Sequence, residues 1–256
     1  MSEVTFVRVL RFEWIKFRSL RSSWLTLALA VAVLIGMGLF TTWLVFASGA
    51  NGVAALDAVT AGLSGSALSV LVVGVLGVLV MTGEYSTGTI RSSLTAVPRR
   101  MPLLAAKAVV FATVVYASML VATVVTVVAG QQIIGVPGVS LADAGTIRAI
   151  LGSTAYVTGA GLLGLFLGGV LRSTAAALTA FFAVTFLMTL VSGLVLSQGW
   201  RESVGRFLPS AAGEAMGATM QLPDALTPGQ GGLVFAGYLL LAGGAAARRM
   251  MRSDAT

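Results

Sequence analysis

The chain has 256 residues and a formal net charge of +7, yet only 10% of its residues are charged and 57% are hydrophobic. A soluble domain carries roughly a quarter charged residues, so this composition, with a mean hydropathy of +0.97, points to a membrane protein and leaves no room for a sizeable soluble domain beside several crossings. Cysteine and histidine are both absent, which excludes disulfides, thiol chemistry, the usual general base and the commonest metal ligand; no metal site is expected.

In chain order, residues 3–22 read as a basic amphipathic helix. Val7, Leu10, Trp14 and Phe17 recur at helical spacing, and Arg8, Arg11 and Arg18 take the opposite face. That pattern suits a helix lying among lipid headgroups; a plain positive anchor on the inner side accounts for it equally. Binding to nucleic acid is not expected, because nothing else in the chain supports it.

A bilayer core of about 30 Å needs roughly 20 apolar residues as helix. Residues 24–46 satisfy this without a charge, and Trp24 and Trp43 lie about 28 Å apart at helical rise, the spacing of two interfacial belts. A cleaved signal peptide would need a shorter apolar core, so this segment is read as a retained helix. Further crossings are expected at 64–82, 103–129, 150–171, 174–197 and 231–247. Ser64, in Gly62-Leu63-Ser64-Gly65, lacks the histidine that would activate a serine nucleophile. Lys107 falls near the start of the third crossing, where its side chain is expected to snorkel to the interface. Only Arg172 and Ser173 separate the fourth and fifth crossings, which forces a tight hairpin. Ala160, Gly164 and Gly168 mark a small-residue helix face, read first as internal packing.

Charge sets the expected orientation. With the N-terminus inside, the inner segments hold thirteen basic residues, and the outer ones hold only Arg148, Arg201 and Arg206. Both termini are therefore expected in the cytoplasm. The fold class is an all-α integral membrane protein, a single transmembrane domain over 1–256, with six crossings behind an interfacial helix.

An ion-coupled carrier keeps ionisable groups inside the membrane, and the expected cores hold none apart from Lys107 at one margin. The only lysines, Lys16 and Lys107, follow Ile15 and Ala106, so there is no P-loop and no means of using ATP alone. Between the second and third crossings stands the compact polar stretch "GEYSTGTIRSSLTAVPRR", Gly83 to Arg100. Ile90, Leu94 and Val97 give it one apolar stripe, Ser86 or Thr87 is a candidate N-cap, Gly88 offers close approach, and Pro98 ends the helix. On physics alone, three readings stay open: a docking helix over 86–97, an interfacial loop helix, or topology-setting charge.

This stretch resembles the cytoplasmic loop of permease subunits of type 2 ABC exporters, especially the short actinobacterial forms. Gly83-Glu84, Thr87-Gly88-Thr89-Ile90 and Pro98-Arg99-Arg100 match the family's elements in order. "RVLRFEWIKFRSLRSSWLTL" resembles its connecting helix, and "FLPSAAGEAM" the outer segment before the last crossing. The resemblance implies a bacterial cytoplasmic-membrane permease, homodimeric in the simplest case, with two cytoplasmic ATPase subunits that carry ATP and Mg; this chain would bind no cofactor. It makes 86–97 the coupling helix, with Glu84, Tyr85, Ser86, Thr87, Gly88, Thr89, Ile90, Arg91, Leu94, Pro98, Arg99 and Arg100 facing the ATPase. Arg8, Arg11, Trp14 and Arg18 would lie on the connecting-helix interface, and Glu84 would pair with an arginine of that helix or of the partner. Residues 198–230, broken by Pro209, Pro223 and Pro228, become a re-entrant extracellular segment. Outward movement of an amphipathic, hydrophobic, antibiotic or lipid-like cargo is the implied function. A self-contained carrier or channel, and an ATPase-linked immunity or sensing module, are the alternatives.

Overall fold

The computed structural model describes residues 5–48, 55–89, 100–134, 143–195, 203–220 and 225–252. Among them every regular element is a helix. In order these are α1 (Phe6–Ser19), α2 (Arg21–Ala47), α3 (Ala55–Leu63), α4 (Gly65–Ser86), α5 (Arg100–Ile134), α6 (Ala144–Leu171), α7 (Thr174–Phe182), α8 (Met188–Val195), α9 (Pro209–Gly217) and α10 (Pro228–Arg252). Among the described residues six segments are long and apolar enough to cross a membrane, beginning with α2 and ending with α10.

Several elements differ from the sequence expectation for physical reasons. The second crossing starts early, because α3 runs into α4 through a single turn residue, Ser64, whose backbone stays helical. Thr41 of α2 seals this break by donating to the Ala61 carbonyl at 2.7 Å and by bonding the Ser64 hydroxyl at 2.6 Å. At 35 residues, α5 is about 50 Å long and outreaches the hydrocarbon core at its ends. The fifth crossing is α7 and α8 joined by a π-helical turn, Ala183–Leu187. The expected hairpin is present: Arg172 takes a left-handed conformation (φ 56°), its N–H donates to the Gly168 carbonyl at 2.9 Å, and α7 begins two residues later.

At the centre of the bundle, α6 has 67% of its most apolar window buried, against 17% in the fifth crossing. Glycine makes that possible. A Cβ on Gly77 of α4 would strike the backbone carbonyl of Gly161, and one on Gly164 would strike that of Gly74. The two helix backbones touch along this seam. The small-residue face of α6 is thus spent on internal packing, with Gly168 against Met81 and Thr82. Phe111 of α5 and Phe181 of α7 close the core around it, both essentially inaccessible.

α1 docks on the bundle through a face that the sequence reading did not single out. Val9, Glu13 and Phe17 are buried, whereas Val7 and Trp14 are 72% and 40% exposed. The helix uses two faces: one docks on α5, with Leu10 partly buried against the core, and Val7 and Trp14 stay outside beside Val109 and Thr113. An exposed apolar stripe next to a membrane-length helix is what lipid contact requires.

Candidate functional site

At one end of the bundle three helices, α1, α4 and α5, each carry a charge where the core stripe predicts a hydrophobe. On α1 the stripe is Val9, Glu13, Phe17; on α4 it is Val73, Gly77, Met81, Glu84; on α5 it is Leu103, Lys107, Phe111. Glu13, Glu84 and Lys107 are 3%, 5% and 4% exposed, and helical spacing aims them at one point. Lys107 Nζ donates to Glu13 Oε2 at 2.6 Å and also to Glu84 Oε1. Lys16, one turn beyond Glu13, reaches the same Glu84 oxygen at 2.6 Å. Two lysines and two glutamates form a neutral, largely desolvated network tying α1, the end of α4 and the start of α5.

Two expectations are corrected here. Glu84 does pair with α1, but through a lysine rather than an arginine, and it shares its oxygen with Lys107. Lys107 does not snorkel, because α5 starts two turns earlier at Arg100 and α1 roofs it over. At the end of α4 the Ser86 and Thr87 hydroxyls donate back to the Gly83 carbonyl, at 3.1 and 2.7 Å, and the helix they are expected to cap lies outside the described residues. Gly88 has open space around it and a φ of +71°. It is a left-handed glycine just past the end of α4.

Energetically the network is a clamp. A buried charge pair adds little net stability over apolar residues of the same volume, but removing one member leaves an uncompensated charge at a cost of about 3–5 kcal/mol. Sliding the end of α4 past α1 separates these groups in a poorly hydrated place, so the three helix ends move together or not at all. The second oxygens, Glu13 Oε1 and Glu84 Oε2, are buried without a hydrogen-bond partner among the described residues. A cavity of about 450 Å³ opens beside the network, between α1, the first turn of α2 and the last turns of α4; Ser23 and Thr87 share its wall with the charged residues.

Arg172 extends the linkage. Its guanidinium lies 5.3 Å from the centre of the Tyr85 ring, and it donates to the Arg249 carbonyl of α10 at 3.3 Å. The α6–α7 turn and the last turns of α10 thus sit at the same end as α1 and Glu84.

Of the residues singled out from the sequence, Glu84 is buried in the network, Tyr85 is half-buried, and Ser86, Thr87, Gly88 and Thr89 are exposed at the end of α4. Arg8, Arg11, Trp14 and Arg18 are exposed on α1. Ile90, Arg91, Leu94, Pro98 and Arg99, and with them most of the expected coupling helix, lie outside the described residues; Arg100 opens α5. Glu13 and Lys16 were missed, although Glu13 is the single acid in a strongly basic helix and sits four residues from both Val9 and Phe17. Among the described residues no group of three potential metal ligands comes together.

The six apolar helices define a multi-pass membrane protein. A family model described as ABC-2 family transporter protein matches residues 9–199. The chain belongs to that family, and it is an ABC transporter permease, a membrane subunit of a class that works with an ABC ATPase. A search of curated proteins returned no match.

Proposed function

We propose that this chain is the membrane half of an exporter that moves an amphipathic or hydrophobic cargo, an antibiotic, drug or lipid-like molecule, outward across the bacterial cytoplasmic membrane. Its motor is a pair of cytoplasmic ATPase subunits that bind ATP and Mg, and the chain has no catalytic site of its own. A second permease, in the simplest case an identical copy, completes the pathway. Both termini face the cytoplasm.

One observation carries the mechanism: the neutral ion network stands where α4 runs into residues 87–100. A docked ATPase that pushes on 86–97 pushes on the end of α4 and the start of α5 together. Because Lys107 bridges Glu84 to Glu13, the push passes into α1 as well, and from α4 into α6 along the glycine seam. The network converts a local displacement into movement of packed helices, which are bistable rather than compressible.

Ile90→Glu or Leu94→Glu places a charge on the apolar stripe of the docking segment. Each variant should still insert yet lose substrate-stimulated ATP hydrolysis in the complex, and undiminished transport in both would refute the mechanism. One observation favours a second reading. Buried carboxylates such as Glu13 and Glu84 are what a self-contained ion-coupled carrier would use; that reading requires flux by the purified chain alone in liposomes. An immunity or sensing module would bind cargo without moving it, and the same flux assay run with the ATPase present separates it from an exporter.

A further inference from the structure

At the far end of the bundle from the ion network lies a second cavity, of about 540 Å³. Its α4 wall, Ala67 and Val70, stands four to five turns along that helix from Glu84, which is on the order of 20–25 Å. Phe186 and Leu190 supply much of the apolar wall, and Tyr156, Thr185, Thr189 and Ser210 line the cavity alongside them. Glu214, on the short helix α9, brings a single carboxylate to it.

Three features separate this carboxylate from ordinary surface charge. α9 is held against the bundle by close backbone approach: a Cβ on Gly213 would enter the Tyr156 ring, and one on Gly231 would meet the Ala212 carbonyl. Glu214 is thus carried on a seated element. No basic residue pairs with it among the described residues; Arg148, on the adjoining part of α6, donates instead to the Ala218 carbonyl at 2.7 Å. The third feature is the π-helical turn Ala183–Leu187, which brings Thr185 to the cavity and is a kind of irregularity that gathers at functional positions. Thr189 and Ser210 share a hydrogen bond across the cavity wall, joining the fifth crossing to α9. Glu214 is exposed at the mouth of the cavity, and partial desolvation by the surrounding wall still raises its carboxyl above the usual carboxylate range.

A mostly apolar space with one carboxylate and a few hydroxyl acceptors is complementary to a molecule that is greasy and positively charged. We propose that this cavity is a binding site for lipophilic cations, with Glu214 as the residue that selects for positive charge. The ligand cation supplies the partner the protein withholds, and the aromatic and aliphatic walls take its apolar body. This deepens the exporter reading and rests on it for biological meaning, but the binding itself needs no ATPase.

Tetraphenylphosphonium and tetraphenylborate have closely similar shapes and opposite charges. Binding of each is measured to the purified full chain in nanodiscs, with protein-free nanodiscs as the blank. Wild type should bind the phosphonium more tightly than the borate. Glu214→Gln should weaken phosphonium binding about tenfold, the worth of one charge contact at the rim of the cavity, and should not weaken borate binding. Ala67→Trp, which pushes an indole into the cavity and keeps the carboxylate, should also weaken phosphonium binding; it carries the test if Glu214→Gln does not fold. Equal phosphonium affinity in wild type and either variant, or no preference for the cation in wild type, overturns the proposal. A chain that shows this selectivity yet never engages an ATPase refutes the exporter reading alone. A chain that drives an ATPase while Glu214→Gln binds the cation normally refutes this site alone.

Discussion

Lys107 holds two buried carboxylates at once, and its removal is the most informative single change. Lys107→Met leaves Glu13 and Glu84 without their shared cation, so it should cost about 3–5 kcal/mol and lower the melting temperature of the purified protein. The triple variant Glu13→Met, Glu84→Met, Lys107→Met fills the same space with apolar atoms and should recover most of that loss. Lys16, half out of the network, can then turn to water. A Lys107→Met protein that melts like wild type would mean the network is not held together as described. Hydropathy could not show this cluster: it scores each residue for transfer into lipid and knows nothing of partners on other helices. Lys107 read as a marginal charge because its partners are 94 and 23 residues away in sequence.

At the scale of elements, the seam between α4 and α6 sets what the bundle tolerates. Gly77→Leu drives a side chain into the Gly161 carbonyl and should abolish monodisperse folded protein by size-exclusion chromatography. Gly237→Leu in α10, where open space surrounds the Cβ position, should be accepted. Equal behaviour of the two variants would contradict the close α4–α6 approach. The six crossings and the Arg172–Ser173 hairpin were legible in the sequence, because long uncharged runs have few alternatives to helix in a membrane. The buried face of α1 was not. Its sequence carries two apolar stripes, and only the position of Lys107 on another helix decides which one turns inward. The join of α3 to α4 was hidden too, since a serine-glycine pair reads as a break until Thr41 of α2 is seen to bridge it.

Across the whole molecule, the two ends differ in chemistry. One gathers the ion network, the α6–α7 turn and the basic last turn of α10; the other holds α9, Arg148 and the Glu214 cavity. In the proposed orientation the first end faces the cytoplasm, as the asymmetry of basic residues leads one to expect. A chain without cysteine allows a direct check. In intact cells an impermeant maleimide should label Ser203→Cys, and it should label Ser86→Cys only after lysis; the reverse pattern would invert the orientation and with it the direction of export. In the proposed mechanism a separate ATPase docked beside the end of α4 drives this permease. ATP hydrolysis co-eluting with the tagged chain from native membranes in mild detergent, with Ile90→Glu run in parallel, tests that docking. Activity should accompany wild type and be lost with the variant. Wild type that elutes without ATPase activity under several gentle conditions, or a variant that retains it in full, would refute the docking.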